Sequence, residues 1–322
     1  MRAVICADYV GIEGLQTGEL PDPTPGPGEA LIAVRAASIN YPDVLMVEGK
    51  YQMRPEPPFS PGFEVAGDIV EVNGLEEYAP GDRVIAYTGH GGLAERLVAS
   101  RTEMMPLPTG VDYPIGAALP IVYGTAYHAL VDRAGLAASE TLLVLGGAGG
   151  VGLAAVQIGK ALGAHVIAAV SSEEKARVAE DNGAEATIRY ELTSLRDALK
   201  EIAPGGIDVV FDPVGGVVTE TALRSLGWGG RLLIIGFASG DIPSLPTNLT
   251  LLKGAAIIGV FWGRFTQEDP ARAASNFATL FQWLADGRIR PLVDASFDLD
   301  SAIDALRLVA SRQAIGKLVV IP

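Results

Sequence analysis

Apolar residues along this chain follow two rhythms. Over the first third they form short runs broken by Gly, Pro and Asn: RAVICA, a proline-rich stretch at 21–27, then EALIAVRAASIN, PGFEVAGDIVEVNG and GDRVIAY. Such runs between turn formers predict strands, and therefore a β-rich domain. From about Tyr123 to Gly263 the runs become nearly continuous in Val, Ile and Leu. TLLVL, HVIAAV, ATIRY, IDVVFD, RLLIIGF and AAIIGVF read as strands, with segments such as Ser172–Asn182 and Leu195–Ile202 as the helices between them. Strands apolar on both faces and separated by helices imply a parallel sheet covered on both sides, and six of them match the doubly wound order. After Gly263, Ala271–Asp286 and Ser301–Ala310 read as helices and GKLVVIP as a closing strand, so the tail is expected to return to the first domain.

The strand LLVL at 142–145 runs into Gly147, Ala148, Gly149, Gly150, Val151 and Gly152, a G-x-G-x-x-G at the point where a strand gives way to an Ala-rich helix. The first glycine is expected to allow the tight turn, the second a close approach of backbone to a pyrophosphate, and the third close helix–strand packing. The helix N-terminus then offers N–H groups and a partial positive charge to the phosphates. A site for NAD carries Asp or Glu at the end of the second strand, about 20 residues on, to accept from the ribose hydroxyls. Here that strand, VIAAV, ends in Ser171 and Ser172, with Lys175 beyond. Small hydroxyls leave room for a 2′-phosphate and an ammonium neutralises it, so the pattern points to NADPH. Glu173 and Glu174 read as first-turn residues of the next helix, where the dipole favours acids.

At 322 residues the chain exceeds what one core usually holds, consistent with two domains. A formal charge of -14 argues against a nucleic-acid groove or an anionic membrane surface. The N-terminus, MRAVICADYV, lacks the pattern of a signal peptide and no apolar run is long enough to span a bilayer, so a cytoplasmic protein is expected. The single cysteine, Cys6, rules out intrachain disulfides and cysteine-rich zinc sites, and its apolar strand predicts that it is buried.

Several segments together carry a family likeness: SINYPDVLMVEGKY (38–51), PGFEVAG (61–67), GDRV (81–84), GTAYHAL (124–130), GGAGGVG (146–152), FDPVGG (211–216), IGFASG (235–240), GVFWG (259–263) and GKLVVIP. With these the chain resembles, nearly end to end, the medium-chain dehydrogenase/reductases, in the zinc-independent quinone oxidoreductase (zeta-crystallin-like) branch. The resemblance implies a Rossmann domain, 123–263, inserted in a β-rich GroES-like catalytic domain formed by 1–122 and 264–322. Zinc-dependent relatives carry Gly-His-Glu where this chain has Gly62, Phe63 and Glu64, and use cysteine ligands that it lacks. Its imidazoles, His90, His128 and His165, show no metal-like spacing, so no metal is expected and Glu64 reads as a structural carboxylate.

By the same resemblance, Ala148, Gly149, Gly150 and Val151 would cradle the pyrophosphate, and Ser171, Lys175 and Tyr190 would surround the 2′-phosphoadenosine end. Thr125, Phe237, Phe261 and Trp262 would lie along the nicotinamide half. Asn40, Tyr41, Tyr51 and Tyr123 would form the substrate wall. Leu45 stands where some quinone reductases have a second tyrosine. Hydride transfer asks the protein mainly to place the reactants and exclude water. Asn40, an amide donor, and Tyr51, a phenol, are the side chains expected to polarise the acceptor carbonyl. The expected function is NADPH-dependent reduction of a quinone or related conjugated carbonyl. An enone or enoyl reductase is the alternative within enzymes, and a non-catalytic NADPH-binding structural or RNA-binding protein the alternative outside them. The apolar segment 255–261 would form a sheet edge, through which relatives pair, so a homodimer is expected.

Overall fold

The structure is a computed structural model that describes residues 1–322. The strands, in chain order, are β1 (Arg2–Ile5), β2 (Gln16–Glu19), β3 (Glu29–Ser38), β4 (Glu64–Asn73), β5 (Arg83–Tyr87), β6 (Arg96–Ser100) and β7 (Met104–Pro106). There follow β8 (Thr141–Leu145), β9 (His165–Val170), β10 (Ala186–Arg189), β11 (Ile207–Asp212), β12 (Leu226–Ile234) and β13 (Ala256–Gly259), then β14 (Val293–Asp298) and β15 (Lys317–Ile321). Two compact units result: unit 1 is Met1–Ile121 with Pro291–Pro322, and unit 2 is Val122–Arg290.

Unit 1 is built on a sheet with the path β14-β15-β3-β4-β5-β7, with β6 also paired to β3, and β1 and β2 form a separate hairpin. The tail returns as expected: β15 pairs antiparallel with β3, Val319 opposite Ser38. Phe63, Val65, Ile69, Val84, Leu318 and Val320 meet in its core. A short helix, α1 (Tyr41–Val47), leaves the end of β3; Asn40 is its N-cap and Pro42 sits in its first turn.

Unit 2 is the expected doubly wound sheet, order β10-β9-β8-β11-β12-β13, with every neighbouring pair parallel. The near-continuous Val/Ile/Leu runs are buried because helices cover both faces: Leu143, Leu145, Ile167, Val210 and Leu232 lie in one core with Leu199 and Leu223 from helices. β13 is an edge strand, with Ile257 exposed.

The boundary expected after Gly263 lies instead after Arg290. Phe261 and Trp262 do not end a strand: Trp262 opens the helix Trp262–Glu268, which is followed by the helix Pro270–Ala285. Their aromatic faces hold them in unit 2. Trp262 lies against Gly124 so closely that a Cβ there would come within 2.7 Å of the indole, and Tyr127 meets Trp283 edge-on at 5.5 Å. His128 stacks on Phe265 at 3.8 Å between ring centroids. Amphipathic spacing shows that these helices are half buried, but carries no information about which core receives them. No helix is long and apolar enough to cross a membrane.

Candidate functional site

In unit 2, β8 delivers the glycine loop at the carboxyl end of the sheet. The left-handed turn is made at Gly146, with φ of 62°, rather than at Gly147. Gly147 serves a different need, since a Cβ there would lie 2.7 Å from that of Ala168 on β9. At Gly152 a Cβ would stand 2.1 Å from the Gly146 carbonyl oxygen, so the third glycine does allow close packing. Gly149 is different again: a Cβ would meet nothing nearer than the Gly146 oxygen at 3.6 Å. The fold itself therefore tolerates a side chain at 149, and the open space there suits a group brought close to the backbone. Gly149 is the N-cap of the helix Gly150–Leu162 and has no side chain to cap it. The N–H groups of the first turn, at Gly150, Val151 and Gly152, have no intrahelical acceptors and face that space with the positive end of the dipole. This cradle fits a pyrophosphate.

At the end of β9, Lys175 Nζ reaches the Ser171 hydroxyl at 3.4 Å, while the Ser172 hydroxyl caps the next helix by accepting from the Lys175 N–H at 3.2 Å. Partial burial pulls the Lys175 ammonium below its ordinary pKa, against Glu191 and Glu174, which raise it. Tyr190 follows β10, and its N–H donates to the Val170 carbonyl at 3.3 Å, which brings it beside Ser171. The expected trio of Ser171, Lys175 and Tyr190 thus gathers at one strand end with no carboxylate among them. Glu173 is in the first helical turn, ion-paired with Arg189 at 2.5 Å.

The remaining unit 2 positions divide. Asp212, at the end of β11, accepts from the N–H groups of Val214 (2.8 Å) and Gly215 (2.9 Å) and from the Thr219 hydroxyl (2.5 Å), shaping the FDPVGG loop. Phe237 packs on Gly215 of that loop. Phe261 is exposed and Thr125 half-buried. Trp262 is 6% exposed and packed on Gly124, so it serves as core beneath this region. Tyr123 is likewise no wall residue: it is 2% exposed, its hydroxyl donates to Gln157 Oε1 at 2.8 Å, and burial raises its pKa. Gln157 is itself held by Asn182 and Arg290.

Unit 1 holds a buried polar cluster that the sequence reading did not assemble. Lys317, from β15, donates to the Ile39 carbonyl (2.8 Å), Asn40 Oδ1 (2.6 Å) and Glu64 Oε1 (3.2 Å). Asn40 Nδ2 donates to Glu64 Oε1 at 2.8 Å, and the Ile121 N–H to Glu64 Oε2 at 2.7 Å. Asp43 accepts from the Asn40 N–H (2.7 Å) and the Gly62 N–H (2.8 Å). Burial raises the Asp43 carboxyl to about 7, against its two backbone hydrogen bonds and Lys317, which lower it. Asn40 is therefore not an open donor: its amide is 5% exposed and committed to an ammonium and a carboxylate. Tyr51 stays half-buried, edge-on to Phe63 at 5.3 Å, and burial, then Asp43, raises its pKa. Tyr41 and Leu45 are half-buried on α1.

None of the carboxylates, imidazoles or Cys6 gathers in a group of three that could hold a metal ion. Around Glu64 a lysine ammonium already supplies the positive charge, so this donor set does not suit zinc, which takes three or more His, Cys or carboxylate ligands.

This architecture, a β-rich unit around a closing strand and a doubly wound unit with a phosphate cradle, is matched by two domain families. The alcohol dehydrogenase GroES-like domain matches residues 26–109, and the zinc-binding dehydrogenase domain residues 150–281. The chain is 37% identical over 320 residues to quinone oxidoreductase-like protein 2 of Mus musculus, covering 98% of this chain and 91% of that protein. Among solved structures, the quinone oxidoreductase of Thermus thermophilus, described with its NADPH complex, superposes with a TM-score of 0.87 at 34% identity, covering 100% of both chains. That of Escherichia coli complexed with NADPH superposes at 0.92 with 27% identity, again covering 100% of both. The chain belongs to the quinone oxidoreductase family of the medium-chain dehydrogenase/reductases.

Proposed function

We propose that this protein is an NADPH-dependent quinone oxidoreductase that transfers hydride without zinc to a quinone or a related conjugated carbonyl. The observation that carries the cofactor choice is the end of β9, where the Lys175 ammonium and the Ser171 hydroxyl meet beside Tyr190 and no acid occupies the ribose position. A 2′-phosphate would be neutralised there, whereas a ribose diol would lack its usual carboxylate acceptor. Bound NADPH supplies the hydride. Gly149, Gly150 and Val151 hold the pyrophosphate, Asp212 shapes the loop on whose Gly215 Phe237 packs toward the nicotinamide half, and Thr125 and Phe261 complete it.

On the acceptor side, Tyr41, Leu45 and Tyr51 form the wall. Burial keeps the Tyr51 phenol protonated, as a hydrogen-bond donor to the acceptor carbonyl must be. Hydride from NADPH gives the hydroquinone anion, and one proton from solvent water completes the hydroquinone. Asn40 does not touch the acceptor in this reading. The apolar edge strand β13 pairs with its copy in a homodimer, and a free, buried Cys6 suits a reducing cytoplasm.

The test follows NADPH absorbance with a benzoquinone, a naphthoquinone, an enone and an acryloyl thioester, each repeated with NADH and with chelator. Chelator-resistant, NADPH-selective turnover of the quinones is expected. Turnover of the alkenes alone would replace the quinone by an activated alkene. No turnover despite tight NADPH binding would leave a nucleotide-binding protein without this activity. For the dimer, light scattering is expected to give two copies for the unmodified protein and one for Ile257→Asp; a monomeric unmodified chain would refute it.

A further inference from the structure

Lys317 is a lysine with all three N–H donors spent inside unit 1, on Ile39 O, Asn40 Oδ1 and Glu64 Oε1. These contacts allow the Asn40 amide one orientation. Its oxygen faces the ammonium and its nitrogen the carboxylate, and a flip would set NH2 against NH3⁺ and oxygen against oxygen. The main chain is held as well: the Ile39 N–H donates to Leu318 O at 3.0 Å, and the Asn40 N–H to Asp43. The turn from β3 into α1 is thus gripped from the closing strand at backbone and side chain alike.

Stability alone does not account for the arrangement, because a buried ion pair replaced by well-packed apolar side chains is often neutral or stabilising. Apolar side chains cannot, however, hold an amide and the preceding carbonyl in one geometry. We propose that Lys317 and Glu64 are positioning residues: acting through Asn40, they lock the first turn of α1 and so fix Tyr41 and Leu45 against the electron acceptor. This rests on the reading that the acceptor lies against α1.

The test removes both charges at once, so that no ion is stranded. In Lys317→Met/Glu64→Gln, the new amide keeps the Ile121 N–H through its single oxygen and turns its NH2 toward Asn40, whose side chain has lost both the ammonium on Oδ1 and the carboxylate oxygen that accepted from Nδ2. The dissociation constant for NADPH is expected to stay within about twofold, while kcat/KM for a quinone falls about tenfold at saturating NADPH, the scale of a slightly misplaced reactant. The Asn40 side-chain NH2 signal, identified in NMR spectra by its loss in Asn40→Ala, is expected to exchange slowly with water in the unmodified protein and rapidly in the double variant. A kcat/KM within about twofold of the unmodified protein, or an NH2 signal that stays protected, would overturn the proposal. Should the double variant not fold, Lys317→Arg keeps charge and donors but changes their reach, and the same two readouts apply. If the unmodified protein turns over no acceptor, the oxidoreductase reading fails, and the exchange measurement still decides whether Lys317 and Glu64 hold Asn40.

Discussion

The two polar centres of this molecule follow opposite plans. In unit 1, Lys317, Asn40, Glu64 and Asp43 direct their hydrogen bonds at one another and at nearby backbone, so the cluster is closed. In unit 2, the loop at 146–152 turns first-turn N–H groups outward across a glycine whose Cβ would meet nothing closer than 3.6 Å. Buried polarity that is satisfied within the chain fixes geometry, and polarity left open recruits a ligand. The contrast predicts that mutations in the first centre act on stability and on the geometry of α1 without changing cofactor affinity, and those in the second on cofactor affinity.

The sharpest way to break this division is Glu64→Ala. It takes a carboxylate from Lys317 and an acceptor from Asn40 and Ile121, and is expected to cost about 3–5 kcal/mol in denaturant unfolding. Little loss would mean that the cluster is solvated. Next is pH. Asp43 is raised from 3.8 unfolded to about 7 folded, so between those values the native state holds a proton that the unfolded chain has released. That contribution to stability is full below the unfolded value and is lost as pH rises through the folded one, at up to about 1.4 kcal/mol per pH unit. Unfolding midpoints across this window should decline toward neutrality in the unmodified protein and flatten in Asp43→Asn.

The glycines sharpen the other side of the comparison. Gly152→Ala drives a methyl against the Gly146 carbonyl and is expected to lower stability by roughly 1–3 kcal/mol as well as cofactor binding. Gly149→Ala should leave the thermal midpoint unchanged while weakening NADPH in calorimetric titration; equal losses in both variants would show that the cradle is only a turn. The smallest effect is expected at Ser38, whose buried hydroxyl has no hydrogen-bond partner. Ser38→Ala should fall within about 1 kcal/mol of the unmodified protein, on the stabilising side, because it removes an unsatisfied group.

The open centre was legible in the sequence because it is local. Seven consecutive residues set the cradle, and Ser171 and Lys175 are one helical turn apart, so strand, turn and helix patterns suffice to read them. The closed centre was not legible, because its contacts join residues 24, 57, 253 and 277 apart, separations that no periodicity encodes. The one visible sign was Lys317 itself, a charge at the start of an apolar strand. Asn40 was read as a donor to substrate because its neighbours on the chain do not reveal that its amide is taken. Tyr123 misled in another way: with Tyr127 it marks the inner face of the helix Pro120–Tyr127, four residues apart, and both are buried. The doubly wound sheet was readable from its strand–helix alternation, whereas the helices after Gly263 showed only that they have a buried face.

The position of Lys317 also bears on how the protein is made. Translation delivers Asp43 and Glu64 early and their ammonium 253 residues after Glu64, when the whole of unit 2 has already emerged. Domains fold as units while synthesis proceeds. Unit 2 can therefore settle on the ribosome while the nascent N-terminal sheet waits with two acids that have no counter-ion and no strand to cover them. A chain released before β15 would lack both the ammonium for Glu64 and the strand that pairs with β3.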